Sequence, residues 1–352
     1  MPEALKPSES FAKRLVAWQQ VHGRHDLPWQ RSRDPYRVWL SEIMLQQTQV
    51  STVLGYYERF LQAFPTVADL ANASLDQVLG LWSGLGYYSR AKHLHRCAQM
   101  VAASGGVFPQ AVSDLRRLPG IGPSTAAAIA SLCFEQREAI LDGNVKRVLT
   151  RFHGFDKDLS RRTHAQALWQ IAQDSLPAQG HDMPAYTQGL MDLGATLCTR
   201  SKPDCPRCPM KADCVALSQQ RPTHYPVIAR QRKRSAQSLW LLCAVTTQAE
   251  VWLQQRPDKG VWASLYTQPL FDSEDALLAS LPGKLKAHLQ AGPAFVHVLT
   301  HKDLHLHPMH LALNQPVDLG QGSWFSATIW PSMGLPTPVR KLLQRSPLDC
   351  PE

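Results

Sequence analysis

Four cysteines crowd into seventeen residues, Cys198-x6-Cys205-x2-Cys208-x5-Cys214, within CTRSKPDCPRCPMKADC. No other feature constrains the local fold as tightly. Prolines and basic residues separate the thiols, so they cannot be four core positions of one helix. Metal ligation accounts for the pattern, and both zinc and a [4Fe–4S] cluster accept four thiolates. The spacing is not the paired C-x2-C of a zinc ribbon. Cys97, Cys133, Cys243 and Cys350 are scattered and read as core or surface thiols.

The N-terminal MPEALKPSESFAKRL has no apolar signal core, and no run of about 18 apolar residues occurs. A cytoplasmic protein is expected, and a reducing compartment favours metal ligands or free thiols over disulfides. The net charge of +9 over 352 residues suits a polyanionic partner.

The hydrophobic period changes along the chain. From residue 11 to 225, apolar residues recur at helical spacing with Gly or Pro between the runs, as in Thr52–Phe64, Ser74–Leu81, Tyr88–Ala103 and Arg162–Ser175. Beyond 237, runs such as Leu239–Thr247, Val251–Gln255, Leu265–Phe271, Ala294–Leu299, Leu304–Leu313 and Ser323–Trp330 read as strands, with helical patterns at Glu274–Leu289 and Pro338–Leu343. The basic, Pro-punctuated 221–237 reads as a linker. The expected fold class is a mainly α domain over 10–220 followed by an α+β domain over 238–346, with a disordered leader over 1–9.

Two local patterns carry chemistry. Val112–Leu118 reads as a short helix, Leu118-Pro119-Gly120-Ile121-Gly122 as a tight glycine turn, and Ser124–Ser131 as a small-residue helix. Gly120 and Gly122 permit positive φ and close backbone approach, and a helix N-terminus favours an anion. The arrangement is a phosphate clamp or an ordinary helical hairpin. About twenty residues on, Leu141-Asp142-Gly143-Asn144 places one carboxylate before another helix, as a cap or as a reacting group. Upstream, Asp34-Pro35 reads as an N-cap and first helical position. Val38, Glu42 and Leu45 then share one face. A carboxyl on an apolar face has its pKa raised, as a general acid requires.

The glycine hairpin, LDGNVKR and the cysteine cluster occur in the order of the helix-hairpin-helix DNA glycosylase superfamily. The cysteine spacing resembles the iron–sulfur loop of its endonuclease III-like members. LPWQ (27–30), DPYRVWLSEIMLQQTQV (34–50), GLWSGLGYYSRAKHLH (80–95) and MDLGATLCTRSKPDC (191–205) narrow the resemblance to MutY-type adenine glycosylases. That resemblance spans about residues 11–346. It implies a [4Fe–4S] cluster on Cys198, Cys205, Cys208 and Cys214, with Arg200, Lys202, Arg207 and Lys211 near DNA phosphates. It implies that Glu42 protonates a ring nitrogen of adenine, that Asp142 faces the deoxyribose, and that Asn144 orients the reacting groups. Gly120 and Gly122 hold the strand. Ser124 stands where glycosylase/lyases place a nucleophilic lysine, so a monofunctional enzyme that leaves an abasic site is expected. Lys146 is the one nearby amine in sequence for an opportunistic imine.

The target base must leave the duplex first. By the same resemblance Leu45, Gln46 and Gln47 form the wedge and base-contact loop, Trp29, Gln30, Tyr87 and Tyr88 supply pocket or wedge surface, and Gln188 contacts adenine. Residues 238–346 resemble the family's Nudix-like domain, through VWLQQRPDKGVWASLYTQPLF and FVHVLTHKDLHL. Glu274-Asp275-Ala276-Leu277-Leu278 lacks a glutamate-rich metal array, so no pyrophosphohydrolase activity is expected. The domain is expected to read 8-oxoguanine through Thr300 and His301. Leu299 replaces an aromatic residue there, and Lys302-Asp303 reads as a longer following loop. The implied partner is duplex DNA with adenine opposite 8-oxoguanine or guanine, bound by a monomer. A pyrimidine-directed glycosylase and a catalytically silent DNA-binding iron–sulfur protein are the competing readings. His297, His301, His305, His307 and His310 read as exposed strand residues.

Overall fold

The computed structural model describes residues 7–229 and 234–344. Cys350, residues 1–6 of the expected 1–9 leader and part of the expected linker lie outside them; residues 7–9, expected to be disordered, belong to the first helix. The chain divides into two compact units: Met1–Tyr57, Thr66–Ala68 and Arg96–Gln231 in one, Glu58–Pro65, Asp69–His95 and Arg232–Glu352 in the other.

The N-terminal part is helical: α1 (Pro7–His22), α2 (Pro35–Leu45), α3 (Val50–Ala63), α4 (Val67–Asn72), α5 (Leu75–Trp82) and α6 (Ser89–Ala103). The glycine hairpin follows as α7 (Val112–Leu115) and α8 (Pro123–Phe134), then α9 (Gly143–His153), α10 (Arg162–Asp174), α11 (Met183–Thr196) and α12 (Val215–Ser218). Caps written in the sequence set several of these. Asp34 accepts from the Tyr36 backbone N–H at 2.9 Å with Pro35 next. Ser74 and Gln77 make a reciprocal capping box at α5. In the first unit Phe11, Leu15, Val145, Leu149, Leu168, Met183 and Tyr186 form one core. The close approach of α11 to α9 requires a glycine: a Cβ on Gly194 would stand 2.7 Å from Cβ of Asn144.

The second unit holds a mixed sheet with path β3-β2-β1-β7-β5. Its strands are β1 (Ser235–Thr246), β2 (Val251–Gln255), β3 (Tyr266–Thr267), β4 (Leu270–Phe271), β5 (Leu289–Ala291), β6 (Phe295–Val298), β7 (Lys302–Leu313) and β8 (Ser323–Phe325). β1 and β7 run parallel in register from Ser235↔Lys302 to Thr246↔Leu313, and β6 pairs antiparallel with β7. The helices α13 (Glu274–Ser280), α14 (Gly283–Lys286) and α15 (Thr337–Gln344) complete it. Pro282 ends the expected 274–289 helix, since proline disfavours helix in the residue before it. Its last residue, Leu289, opens β5 instead.

One expectation fails here. Lys302 and Asp303 do not form a loop: both lie in β7, held by the pairs Ser235↔Lys302 and Ala236↔Asp303. The turn after β6 is only Leu299-Thr300-His301. It closes through Leu299 N–H to the Lys302 carbonyl at 2.8 Å. Arg234 donates to the Leu299 carbonyl at 2.8 Å and pairs with Asp303.

The second unit also contains the Gly84–Tyr88 turn. Tyr87 takes a left-handed conformation, φ +49°. Its hydroxyl lies 2.7 Å from Oγ1 of Thr300, and Tyr88 donates to the Leu335 carbonyl at 2.9 Å. Lys92 donates to Oγ of Ser264 at 2.9 Å.

Candidate active site

Glu42 lies on α2 and lines a pocket of about 260 Å³ with Trp29, Gln30, Val38, Ser41, Arg33 and Gln188. The amphipathic spacing places Val38 and Glu42 together, whereas Leu45 is not part of this lining. Burial first, and then the charge of Asp142, pushes the Glu42 carboxyl up from 4.5 to about 7. Trp29 is buried and packs edge-on against Tyr57, ring centroids 5.3 Å apart. Gln30 is partly buried, and neither end of its amide has a hydrogen-bond partner.

Asp142 caps α9: its Oδ1 accepts from the Val145 N–H at 2.8 Å. The carboxyl is raised by burial, against hydrogen bonds from Val145 and Asn144 and the charges of Arg147 and Lys146. It is therefore a helix cap whose carboxyl also lies close enough to Glu42 to raise that group's pKa. Asn144 Oδ1 accepts from Arg147 at 2.8 Å, and Arg147 also donates to the carbonyls of Gly194 at 2.6 Å and Cys198 at 2.7 Å. Its amide is held from below rather than left mobile.

The glycine turn is built differently from its expectation at one position. Gly120 takes φ +78°, but Gly122 is extended, φ −82° and ψ 174°. A Cβ at Gly122 would meet nothing within 4 Å, so its glycine is not required by the fold itself. Pro123 starts α8, and no side chain caps that helix. Uncapped N–H groups at an exposed helix start form an anion site. Ser124 accepts from the Leu141 N–H at 3.0 Å, pinning the hairpin to the residue before Asp142.

Several expected residues stand outside the Glu42 pocket. Leu45 ends α2, and Gln46 and Gln47 form the turn after it; Gln47 is exposed with φ +59°, and Gln46 reaches Oγ1 of Thr125 at 3.4 Å. Tyr87, Tyr88, Thr300 and His301 belong to the second unit. Within the pocket, sequence reading missed Gln19, His25 and Arg33, and the pair behind Gln188. That pair is Asp192, fully buried, bound to Arg24 Nε at 2.7 Å and to Gln188 Nε2 at 2.9 Å. Asp192 sits four residues after Gln188 on α11, a spacing that signals one face; Arg24 is 168 residues away and carries no local signal.

The four cluster cysteines line a second cavity, of about 30 Å³, with Arg151, Leu197 and Pro203. All four are unpaired thiols. Among the described residues no three His, Cys, Asp or Glu close on a single ion, including the histidines of the second unit. A mononuclear zinc site needs thiolates about 2.3 Å from one point. Four thiols around one cavity are a donor set that both zinc and a [4Fe–4S] cluster accept. Arg151 supports the loop, donating to the Thr199 carbonyl at 2.7 Å, the Arg200 carbonyl at 2.9 Å and Sγ of Cys198 at 3.3 Å. Arg200, Lys202, Arg207 and Lys211 are all exposed.

Comparison with known proteins agrees with this arrangement. Residues 40–174 match the HhH-GPD superfamily base excision DNA repair model, and residues 241–345 match a NUDIX domain model. Adenine DNA glycosylase of Buchnera aphidicola subsp. Acyrthosiphon pisum is 35% identical over 341 residues, covering 95% of this chain and 97% of that protein. The human adenine DNA glycosylase is 44% identical over 218 residues, 59% of this chain and 39% of that protein. Among solved structures, a thermostable thymine-DNA glycosylase aligns with TM-score 0.54 and 27% identity over 60% of this chain and 97% of that one. An endonuclease III–DNA complex aligns with TM-score 0.50 at 18% identity over 61% of this chain and 99% of that one, a likeness of fold. No helix among the described residues is long and apolar enough to cross a membrane. The helical glycosylase fold, the Nudix-like sheet and a relative matched along nearly its whole length converge: the chain belongs to the MutY-type adenine DNA glycosylases, hydrolases of N-glycosyl bonds within the helix-hairpin-helix superfamily.

Proposed function

We propose that this chain excises adenine from duplex DNA where it is mispaired with 8-oxoguanine or guanine, leaving an abasic site. The observation that carries the reading is Glu42: a carboxyl raised to about 7, lining a pocket beside an unpartnered amide, Gln30.

Adenine offers a donor edge and ring-nitrogen acceptors, and Gln30 and Gln188 supply complementary amides. Near neutral pH a large fraction of Glu42 carries its proton, which it delivers to a ring nitrogen as the glycosidic bond lengthens. The departing base takes the bonding electron pair, and positive charge develops on the sugar. Asp142, with one oxygen committed to the α9 cap, stabilises that oxocarbenium-like centre or bonds it transiently. Asn144, fixed by Arg147, orients the reacting groups. Water then completes the hydrolysis. Ser124 is engaged with the Leu141 backbone and carries no amine, which supports a monofunctional enzyme. Gly120, Gly122 and the start of α8 receive a DNA phosphate. Leu45, Gln46 and Gln47 form the wedge and base-contact loop, Gln46 filling the helix and Gln47 reading adenine through its amide. Trp29, Tyr87 and Tyr88 supply pocket or wedge surface. Thr300 and His301 read the opposing lesion.

Cys198, Cys205, Cys208 and Cys214 would hold one [4Fe–4S] cluster per chain. When bound, such a cluster cross-links the loop that presents Arg200, Lys202, Arg207 and Lys211 to DNA. We assign the catalytic domain to residues 10–220 and the lesion-recognition domain to 238–346, acting as a monomer, with a linker over 221–237 whose last three residues already belong to β1.

The test uses purified protein on three duplexes: adenine opposite 8-oxoguanine, adenine opposite guanine, and thymine opposite guanine, with hot alkali to reveal abasic sites. Adenine release from the first two is expected. Release of thymine alone would move the chain to pyrimidine repair, and no release with an intact cluster would sink the reading. Strand scission without alkali, abolished by Lys146→Ala, would contradict the monofunctional mechanism. Brown protein with bound iron is expected; colourless protein with bound zinc would overturn the cofactor.

A further inference from the structure

A cavity of about 270 Å³ opens within the second unit, walled mainly by apolar side chains, with no acid, lysine or arginine among them. Charge is placed elsewhere in this unit, at the short turn Leu299-Thr300-His301 between β6 and β7. Thr300 and His301 are exposed there. The turn is held by Arg234, 65 residues before Leu299 and the last residue before β1. Its guanidinium donates to the Leu299 carbonyl at 2.8 Å and to the Thr300 carbonyl at 3.4 Å. The next residue, Ser235, donates its backbone N–H to the His301 carbonyl at 3.2 Å. All three carbonyls of the turn are thereby taken up. Asp303, at the start of β7, holds the guanidinium through both carboxylate oxygens, one of them to Nε at 3.5 Å.

A lone exposed ion pair contributes little. Here one planar guanidinium serves two carbonyls and a carboxylate at once, which fixes its plane and makes the geometry specific. The Arg234 bond holds the Asp303 carboxyl below its ordinary range, so the carboxylate stays charged at neutral pH. With its carbonyls committed to residues 234 and 235, the turn presents a hydroxyl and an imidazole. Oγ1 of Thr300 also lies 2.7 Å from the Tyr87 hydroxyl. Leu299 offers no ring that could stack and steady the turn, and the Arg234–Asp303 clamp steadies it through the backbone instead.

We propose that Arg234 and Asp303 are positioning residues for discrimination of the base opposite adenine. They hold the 299–301 backbone so that the Thr300 hydroxyl and the His301 imidazole meet the edge of that base already oriented. The inference rests on the lesion-reading role given to Thr300 and His301 above. Guanine offers a bare acceptor at N7, whereas 8-oxoguanine carries an N–H there and a carbonyl at C8. A hydroxyl tells these edges apart only when its position is fixed to within about 0.5 Å. A loosened turn keeps the same groups and loses the preference. Neither Arg234 nor Asp303 touches DNA in this role.

The experiment measures excision efficiency by the full chain on adenine opposite 8-oxoguanine and on adenine opposite guanine, and takes their ratio as the preference. It compares the wild type with Arg234→Ala, Arg234→Lys, Asp303→Ala and Thr300→Ala. The wild type should favour the 8-oxoguanine duplex. Arg234→Ala and Asp303→Ala should each lower the preference by about fivefold, the worth of one hydrogen bond, with the loss falling on the 8-oxoguanine duplex. Arg234→Lys should lose as much, because an ammonium does not span two carbonyls and a carboxylate. Combining Arg234→Ala with Asp303→Ala should lose no more than either alone, because the two act as one clamp. Full preference in Arg234→Lys would make Arg234 a phosphate-binding cation and overturn the proposal. Equal losses on both duplexes would mark a general structural role and overturn it too. A preference kept in Arg234→Ala and Asp303→Ala but lost in Thr300→Ala would overturn the clamp alone. A wild type without preference would overturn the lesion-reading role of the turn, and the clamp with it.

Discussion

The two large cavities differ little in volume, about 260 and 270 Å³, and almost wholly in chemistry. The Glu42 pocket has carboxyl, amide and guanidinium groups at its wall. The cavity of the second unit is lined mainly by aromatic and aliphatic groups, with Gln268, Gln344 and His310 as its polar side chains. Space alone confers no reactivity. A desolvated acid with a second acid nearby does, because each charge makes the other harder to form. In the Nudix-like unit, Glu274 and Asp275 lie in the first turn of α13, behind the Ser273 cap.

The sharpest way to break this contrast is Glu42→Gln. Excision should fall by about 10³-fold or more, measured in single turnover, while duplex binding persists. Wild-type activity should decline as pH rises through about 7, as the carboxyl loses its proton. The same group sets a stability signature. Its folded pKa lies above its ordinary 4.5, so between those values the native state binds more protons and wild-type stability falls as pH rises. Glu42→Gln should therefore match the wild type near pH 4.5 and be more stable above pH 7. The gain should not exceed about 3 kcal/mol at 1.36 kcal/mol per unit, read by denaturant melts at both pH values. A variant that gained nothing at high pH would show that the carboxyl is solvated.

Asp142→Asn should separate cap from catalyst. Asparagine caps helices as well as aspartate, so the melting temperature should hold while excision drops by about 10²-fold. Cys208→Ser should lose iron, measured by metal analysis and visible absorbance, and the first unit should melt earlier, because cluster binding and folding share free energy. Ser124→Ala removes the bond to the Leu141 backbone and should destabilise by about 1 kcal/mol. Smallest of all, Tyr87→Phe removes an exposed hydroxyl contact to Thr300. It should change stability by less than about 1 kcal/mol and be visible only as altered discrimination between 8-oxoguanine and guanine.

The sequence made legible what is local. Asp34-Pro35 announces α2, helical spacing puts Val38 and Glu42 on one face, and Asp142 sits one residue before α9. The four thiols declare themselves by crowding. What it hid is long-range or conformational. Arg24 and Asp192 meet from opposite ends of the unit. Gly122 reads like Gly120 but lies extended. Lys302 and Asp303 read as a loop, yet β1 recruits them into β7 by parallel pairing. Pairing partners far along the chain decided those cases, and no residue-by-residue pattern carries them.

The strand-shaped half and the turn at Tyr87 fold as one body: Tyr88 and Ser83 both donate to the Leu335 carbonyl, and Lys92 to Ser264. Evolutionary tinkering and protein engineering are bounded by that stitching. A chimera joined near residue 225 inherits helices trimmed of the backbone acceptors to which their side chains were fitted, so a working graft would carry residues 69–95 along with the sheet.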